Sequence, residues 1–451
     1  MASRGDIDKY NIQPIIYNKW CTIEFEDSLG KSGAFTKLKS SDYFESGLYP
    51  VVDQGDKLIS GYINDNSLLY FGELPVIIFG DHTRNVKYID FEFAVGADGT
   101  KILTPIKQLD RKFFFYYLKT LNVPSLGYSR HYSILKEIEI PLPPLPEQER
   151  IAYKLDALFA QLDGIRAAME RIPTLLKNFR QQVLTQAVTG KLTEEWREGK
   201  DLENINAKEY KNENYLINDI PESWIHSIIE YIGKVKGGKR LPKGDELVDY
   251  NTGFPYIRAR DLKEGTVLTE NLMYLKAETQ LKIKNYIVKT NDVYITIVGA
   301  KIGDAGIIPK SMNNANLTEN AAKITDFHKE LNPFYLALWL RSPISQKNIQ
   351  ETIMSAAQGK LALTRIDKLP IYLPTLLEQQ EIVRRVESLF SQADAIEQQY
   401  QSLKQKIDNL PQAILHKAFK GELVEQLPSD GDARDLLLQI EELKQSTKKK
   451  K

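Results

Sequence analysis

Between Lys234 and Lys243 the chain reads KVKGGKRLPK, five cations with no acid around a Gly-Gly pair. Lys236, Lys239, Arg240 and Lys243 on such a loop can bring side chains and backbone amides to phosphates. The same composition also suits a solvated basic loop. Farther on, Tyr256-Ile257-Arg258-Ala259-Arg260 alternates as a strand does, which predicts Tyr256, Arg258 and Arg260 on one face. Two arginines and a ring on one face can read guanine edges or clamp phosphates; they can equally be half of a surface ion-pair ladder. Two polar clusters lie nearer the N-terminus, Gly80-Asp81-His82-Thr83-Arg84 and Gly127-Tyr128-Ser129-Arg130-His131. His82, Arg84, Tyr128, Arg130 and His131 mix donors and acceptors suited to base edges, and both clusters also have the composition of ordinary turns.

Signals for catalysis are sparse. The chain has no Gly-x-x-x-x-Gly-Lys-Ser/Thr, no Cys-x-x-Cys, no His-Glu-x-x-His and no Gly-x-Ser-x-Gly. Gly359-Lys360 lacks the upstream glycine of a phosphate loop, and Lys360 is kept only as a candidate contact to nucleic acid. His82 beside Asp81 has the composition of a base with its orienter, but adjacent residues seldom face one another and no nucleophile stands nearby. The chain therefore reads as non-enzymatic by itself, with no metal or cofactor of its own.

Two α/β modules, up to about residue 141 and from about 221 to 372, must position these clusters. Short β-prone runs such as Pro75–Phe79 and Asp292–Val298 predict their strands. A helical block follows each module, and the two blocks align without a gap from Leu142 and from Leu373. A repeat at this distance is a duplicated module rather than a solenoid period. Each block opens after a proline cluster, which predicts helix starts at Glu147 and Glu378, acids at the positive end of the helix dipole. In the first block the apolar positions run Ile151, Leu155, Leu158, Leu162, Ile165, Met169, Ile172, Leu176, Phe179 and Val183. The second runs Ile382, Val386, Leu389, Ala393, Ile396, Tyr400, Leu403, Ile407, Leu410 and Ile414. This alternation of three and four predicts a coiled-coil seam, with both strands in one chain. Pro173 and Pro411 are expected to kink or split their helices. The first seam spans about 48 Å, more than one turn of B-DNA (~34 Å).

Composition sets the outer limits. A length of 451 residues, 42% hydrophobic and 27% charged, suits a globular chain of about three domains. Net charge is zero, although residues 221–372 carry a positive excess. One cysteine, Cys21, rules out an internal disulfide framework and fits a reducing compartment. There is no apolar run of membrane length and no signal-like N-terminus, so a cytoplasmic protein without membrane contact is expected.

Taken together, LPPLPEQERIAYKLDALF, LPTLLEQQEIVRRVESLF, the helix exits at Gly190 and Gly421, YPVVDQG, FGDHTR, GYSRHYS, PESW and GFPYIR resemble the specificity subunit of Type I restriction–modification enzymes. The resemblance covers nearly the whole chain. It implies an α+β fold in which two target-recognition domains are separated by two helical spacers forming an antiparallel, pseudo-two-fold coiled coil. The expected divisions are a recognition domain at 1–146, spacer at 147–192, linker at 193–220, recognition domain at 221–377, spacer at 378–425 and tail at 426–451. Each recognition domain would read half of a bipartite asymmetric site on double-stranded DNA. The spacers would set the gap and dock two modification subunits, with Glu147, Gln148, Leu158, Phe159, Glu378, Gln379, Leu389 and Phe390 as docking candidates. The complex would use S-adenosylmethionine for adenine methylation, and restriction subunits would bring ATP and Mg2+ chemistry. A coiled-coil scaffold without DNA reading, or a remnant serving another methylation or defence system, stays open. No Pro-Glu-x-Trp precedes Trp20 as it does Trp224, so the first ~20 residues are expected to pack differently.

Overall fold

The computed structural model describes residues 17, 19–121, 123–124, 130–202, 204–211, 220–354 and 359–448. Two compact units divide the chain, residues 1–170 with 402–451 and residues 171–401. Among the helices are α1 (Arg111–Thr120), α2 (Leu145–Met169), α3 (Ile172–Val188), α4 (Pro333–Arg341), α5 (Leu376–Phe419) and α6 (Ala433–Lys448).

In the first unit β1 (Cys21–Glu24) pairs antiparallel with β3 (Glu139–Leu142), closing the module at the foot of α2. Between them β2 (Val76–Gly80) lies antiparallel to Val86–Ile89 on one side and Thr100–Leu103 on the other. The continuous apolar run of β2 has a simple cause. Ile77 and Phe79 face the core that holds α1, while Val76 and Ile78 face a second core built on Val52, Tyr70 and Phe93. The second unit repeats the plan. β4 (Ile225–Ile228) pairs with β9 (Pro370–Leu373). β8 (Ala321–Thr325) joins β5 (Lys234–Gly237) to β7 (Val293–Thr296). Val293 and Ile295 of β7 face the core under α4, and Tyr294 faces the other side.

The two helical blocks differ in continuity. The first breaks after Met169 and restarts as α3 with Pro173 in its first turn, where a missing N–H costs nothing. The second runs unbroken through Pro411, with Ile407, Leu415, Ala418 and Phe419 buried around it. Both blocks start two residues before the expected glutamates, at Leu145, with Pro146 in the first turn, and at Leu376.

Only one heptad row of each predicted seam is closed. Leu155, Leu162, Met169, Leu176 and Val183 are buried, as are Val386, Ala393, Tyr400 and Ile407. The second rows are buried at their starts, Ile151 and Ile382, and open beyond: Leu158 and Ile165 with Leu403 and Leu410 in the first unit, Ile172 and Phe179 with Leu389 and Ile396 in the second are half-buried or exposed. In the second unit Arg180 of α3 holds Asp394 at 2.6 Å and Glu397 at 3.0 Å across the helix pair.

The Glu-Gln pairs face inward. Trp20 Nε1 donates to Glu147 (3.2 Å) and Trp224 Nε1 to Glu378 (3.0 Å). Gln148 accepts from the Asp110 amide and donates to the Pro143 carbonyl; Gln379 does the same with Asn332 and Pro374. Asp110 and Asn332 in turn cap α1 and α4. Each pair thus ties the start of a helical block to its module's strand and helix. All four side chains are buried, which removes them from the docking surface expected for them. Trp20 N bonds Tyr17 O as Trp224 N bonds Pro221 O; residues 1–16, most of the segment expected to pack differently, lie outside the described residues. Gly421 (φ +71) abuts Tyr17 where Gly190 (φ +77) abuts Pro221, and a Cβ would collide at both. The connector hugs the second module, with Lys208 O accepting from Ser227 Oγ and Tyr210 N bonding His226 O. Within the expected tail, residues Ala433–Lys448 form α6, whose Lys444 pairs with Asp27; the final lysines, 449–451, lie outside the described residues.

Candidate nucleic-acid interface

The basic run of the second module begins on β5, an edge strand, and leaves it at Gly238. The Gly-Gly pair is not a hinge. A Cβ on Gly238 would lie 2.0 Å from the Thr318 carbonyl oxygen, and the next amide, Lys239 N, bonds Leu317 O at 2.8 Å. Close backbone approach is what requires glycine there. Several of the cations already have partners. Lys236 and Lys234 lie 3.0 and 3.9 Å from Asp326, and Arg240 lies 2.6 Å from Glu319. These contacts hold the Asp326 and Glu319 carboxyls below the usual range, with the lysine and arginine hydrogen bonds as the main lowering cause. Lys239 stands instead over the Tyr286 ring (5.4 Å), and Lys243 is exposed.

Tyr286 and Lys282 bring in a segment that the motif reading missed. Lys282 bonds Asp245, whose amide folds back on Pro242, so residues 282–286 lie beside the 239–245 loop. Exposed Lys276, Lys284 and Tyr286 thereby join Lys239 and Lys243. In sequence these lysines are spread over an ordinary mixed helix-turn segment; only the fold gathers them. The predicted one-face strand at Tyr256–Arg260 does not form. β6 (Pro255–Ile257) ends first, and Ala259–Asp261 turns as a 3-10 helix. Tyr256 is buried with its hydroxyl on Lys239 O. Arg258 grips the buried Asp261 carboxylate through Nε (2.9 Å) and Nη2 (2.8 Å), leaving Arg260 as the solvent-facing arginine of the two. Lys360 is exposed.

The first module is organised around a buried acid. Asp81 accepts from Tyr132 N (2.8 Å) and lies 3.7 Å from Lys101 Nζ, while its carbonyl receives His131 N (2.9 Å) and faces His131 Nδ1 (2.8 Å). His131 is fully buried, so it braces the turn and does not reach a base edge. Arg84 sits at φ +66 and donates to Val123 O (2.9 Å), which anchors it as well. His82, held by its amide on Gln54 Oε1, keeps a buried Nδ1 without a hydrogen-bond partner. Arg130 is exposed; Tyr128 lies outside the described residues. The turn and the 130–132 segment thus present His82, Lys101 and Arg130 on a shared brace.

A family model, the Type I restriction modification DNA specificity domain, matches residues 19–172 and again 221–405, once for each module with its helix. The chain belongs to this family. It is 34% identical to the EcoBI specificity subunit of Escherichia coli, over 91% of this chain and 88% of that one. The EcoKI specificity subunit of E. coli K12 is 30% identical, over 75% and 71%. Among solved structures, an HsdS subunit from Thermoanaerobacter tengcongensis shares the fold, with TM-score 0.56 and 16% identity over 90% of this chain and 98% of that one. Another, from work on complex assembly and conformational transition of the type I R-M system, gives 0.59 at 16% identity over 90% and 99%.

As a Type I specificity subunit, the chain serves DNA sequence specificity. The Leu-Phe pairs sit where each module meets its helix. Phe159 stacks on Tyr116 (5.3 Å, 15°), whose hydroxyl reaches Asp156 at 2.6 Å. Phe390 lies 5.9 Å from the Arg341 guanidinium, and burial lowers the pKa of that arginine. Leu158 and Leu389 remain half-buried. No helix among the described residues is long and apolar enough to cross a membrane.

Proposed function

We propose that each module reads one half of a bipartite asymmetric site on double-stranded DNA. Residues 1–146 and 221–377 are the two readers, 147–192 and 378–425 the spacers. The carrying observation is that both modules share one mount, the Trp–Glu–Gln arrangement, while their outward surfaces differ: His82, Lys101 and Arg130 in one, Lys239, Lys243, Lys282, Lys284 and Tyr286 in the other. A constant mount with variable faces suits two independent half-site readers. The cations of the second surface suit phosphates, and Tyr286 offers an apolar face to sugar or base.

The open heptad rows fit helices of two modification subunits, because half-exposed Leu158, Ile165, Leu389 and Ile396 repeat at the spacing a helix can fill. α5 alone, with 44 residues, is roughly 66 Å long, enough to fix a gap longer than one DNA turn. The methyl transfer from S-adenosylmethionine, and the ATP- and Mg2+-dependent steps of restriction subunits, belong to those partners, and this chain is non-catalytic. Mapping methylated adenines in the host genome, with and without this gene and with residues 221–372 exchanged for those of a relative, tests the reading. One half-site is expected to change and the other to stay. A change in both, or in neither, refutes independent reading.

A further inference from the structure

The two mounts differ in charge balance. In the second unit the buried Glu378 carboxylate accepts from Trp224 Nε1 (3.0 Å), Thr193 Oγ1 (2.7 Å) and Arg197 Nη1 (2.6 Å). The same guanidinium nitrogen donates to the Gly190 carbonyl (2.7 Å). Thr193 and Arg197 belong to the stretch that follows Gly190 at the helix exit. In the first unit the stretch after Gly421 takes that place, and its residues are different. Counted from the glycine, Val424 stands for Thr193 and Pro428 for Arg197.

Glu147 is 2% exposed and, among the described residues, accepts from two neutral donors, Trp20 Nε1 and Gln426 Nε2, both at 3.2 Å. Beside it opens a cavity of about 720 Å³ whose lining includes Trp20, Glu147, Gln426, Asp430 and Asp432. Two ion pairs beside it are closed: Arg150 takes both Asp430 oxygens at 2.6 Å and Arg434 takes Asp432 at 2.8 Å, while Lys19 lies exposed, 5.8 Å from the Tyr17 ring. Burial raises the Glu147 pKa, outweighing the Gln426 and Trp20 hydrogen bonds and the charge of Arg150, which lower it.

We propose that this cavity binds an alkylguanidinium group, the end of an arginine side chain or of a small molecule carrying one, with Glu147 as its counter-ion. The second unit supplies the template, since there the chain's own Arg197 fills the corresponding place. A planar fork suits the site better than a point charge because the Glu147 carboxylate and the Gln426 amide oxygen are both acceptors within one wall.

The test uses the full chain with tryptophan indoles labelled for NMR, and reads the Trp20 Nε1–H that donates to Glu147. Agmatine is one probe, and acetyl-arginine-methylamide the other. Agmatine is expected to shift the Trp20 resonance. A shift with both probes assigns the site to an arginine presented by a protein, and a shift with agmatine alone assigns it to a small molecule. Glu147→Gln is expected to weaken agmatine about 10-fold or more, by loss of the charge-assisted bond. Gln426→Arg places a guanidinium in the site from the chain itself, and is expected to abolish agmatine binding in a folded protein. It keeps the test decisive if Glu147→Gln does not fold. A Trp20 resonance unmoved by millimolar agmatine, or agmatine binding unchanged in Gln426→Arg, overturns the proposal.

Discussion

Replacing Lys239 and Lys243 together by alanine isolates the free cations of the second module's loop. Neither has an acid partner among the described residues, Lys239 standing over Tyr286 and Lys243 facing solvent. Each phosphate contact removed lowers the slope of log affinity against log salt by about 0.9, so the pair lowers it by about 1.8. Over a fourfold rise in salt, wild-type affinity then falls about 12-fold more than that of the variant, and the variant's defect shrinks by the same factor. Arg240 behaves differently because Glu319 already holds it at 2.6 Å. Arg240→Ala is expected to change the slope by less than one free lysine does. Glu319→Gln, which releases the arginine, is expected to tighten binding and steepen the slope by up to about 0.9. Fluorescence anisotropy with a labelled duplex, on the chain assembled with its modification subunit, measures all of these across a salt series. Exposed substitutions of this kind shift stability by about 0.5 kcal/mol or less, so thermal melts should coincide. A double variant that binds more weakly at every salt concentration with an unchanged slope removes this loop from the interface.

Other perturbations probe the mount and the spacer. Arg197→Ala leaves the Glu378 carboxylate buried without its cation, and is expected to cost about 3–5 kcal/mol in denaturant unfolding, against under 1 kcal/mol if the pair behaved as a surface bridge. Glu147 has its folded pKa raised above the ordinary 4.5, so the folded chain keeps a proton that the unfolded chain has lost. Its contribution is fully present below 4.5 and declines as pH rises through the folded value; Glu147→Gln should flatten the dependence of melting temperature on pH in that window, and an unaltered profile would count against the shift. Ile396→Asp and Leu403→Asp, at positions 50% and 48% exposed, should leave the melt of the isolated chain nearly unchanged yet prevent co-elution with a modification subunit. Intact co-elution of both variants would exclude the open row as the docking surface.

The repeat, the two modules and the helical blocks are legible along the chain, because periodicity and proline placement are local properties. The strand at Val76–Gly80 and the helix starts within two residues of Glu147 and Glu378 follow from that local pattern. It also supplied the right residue types for a charged surface while leaving their partners undetermined. Lys236 and Asp326 are 90 residues apart, and Arg240 and Glu319 are 79 apart, so their neutralisation is invisible in a motif. The Glu-Gln pairs illustrate the same limit. The resemblance implied an outward docking role for them, whereas the fold turns them inward onto Trp20, Trp224 and the caps of α1 and α4. A heptad pattern likewise names both apolar rows without saying which is covered; Ala393 is buried while Ile396, three residues on, is half exposed. Only the tertiary structure decided which cations are free, which seam is open and which carboxylate lacks a counter-ion, because pairing depends on contacts between residues far apart in the chain.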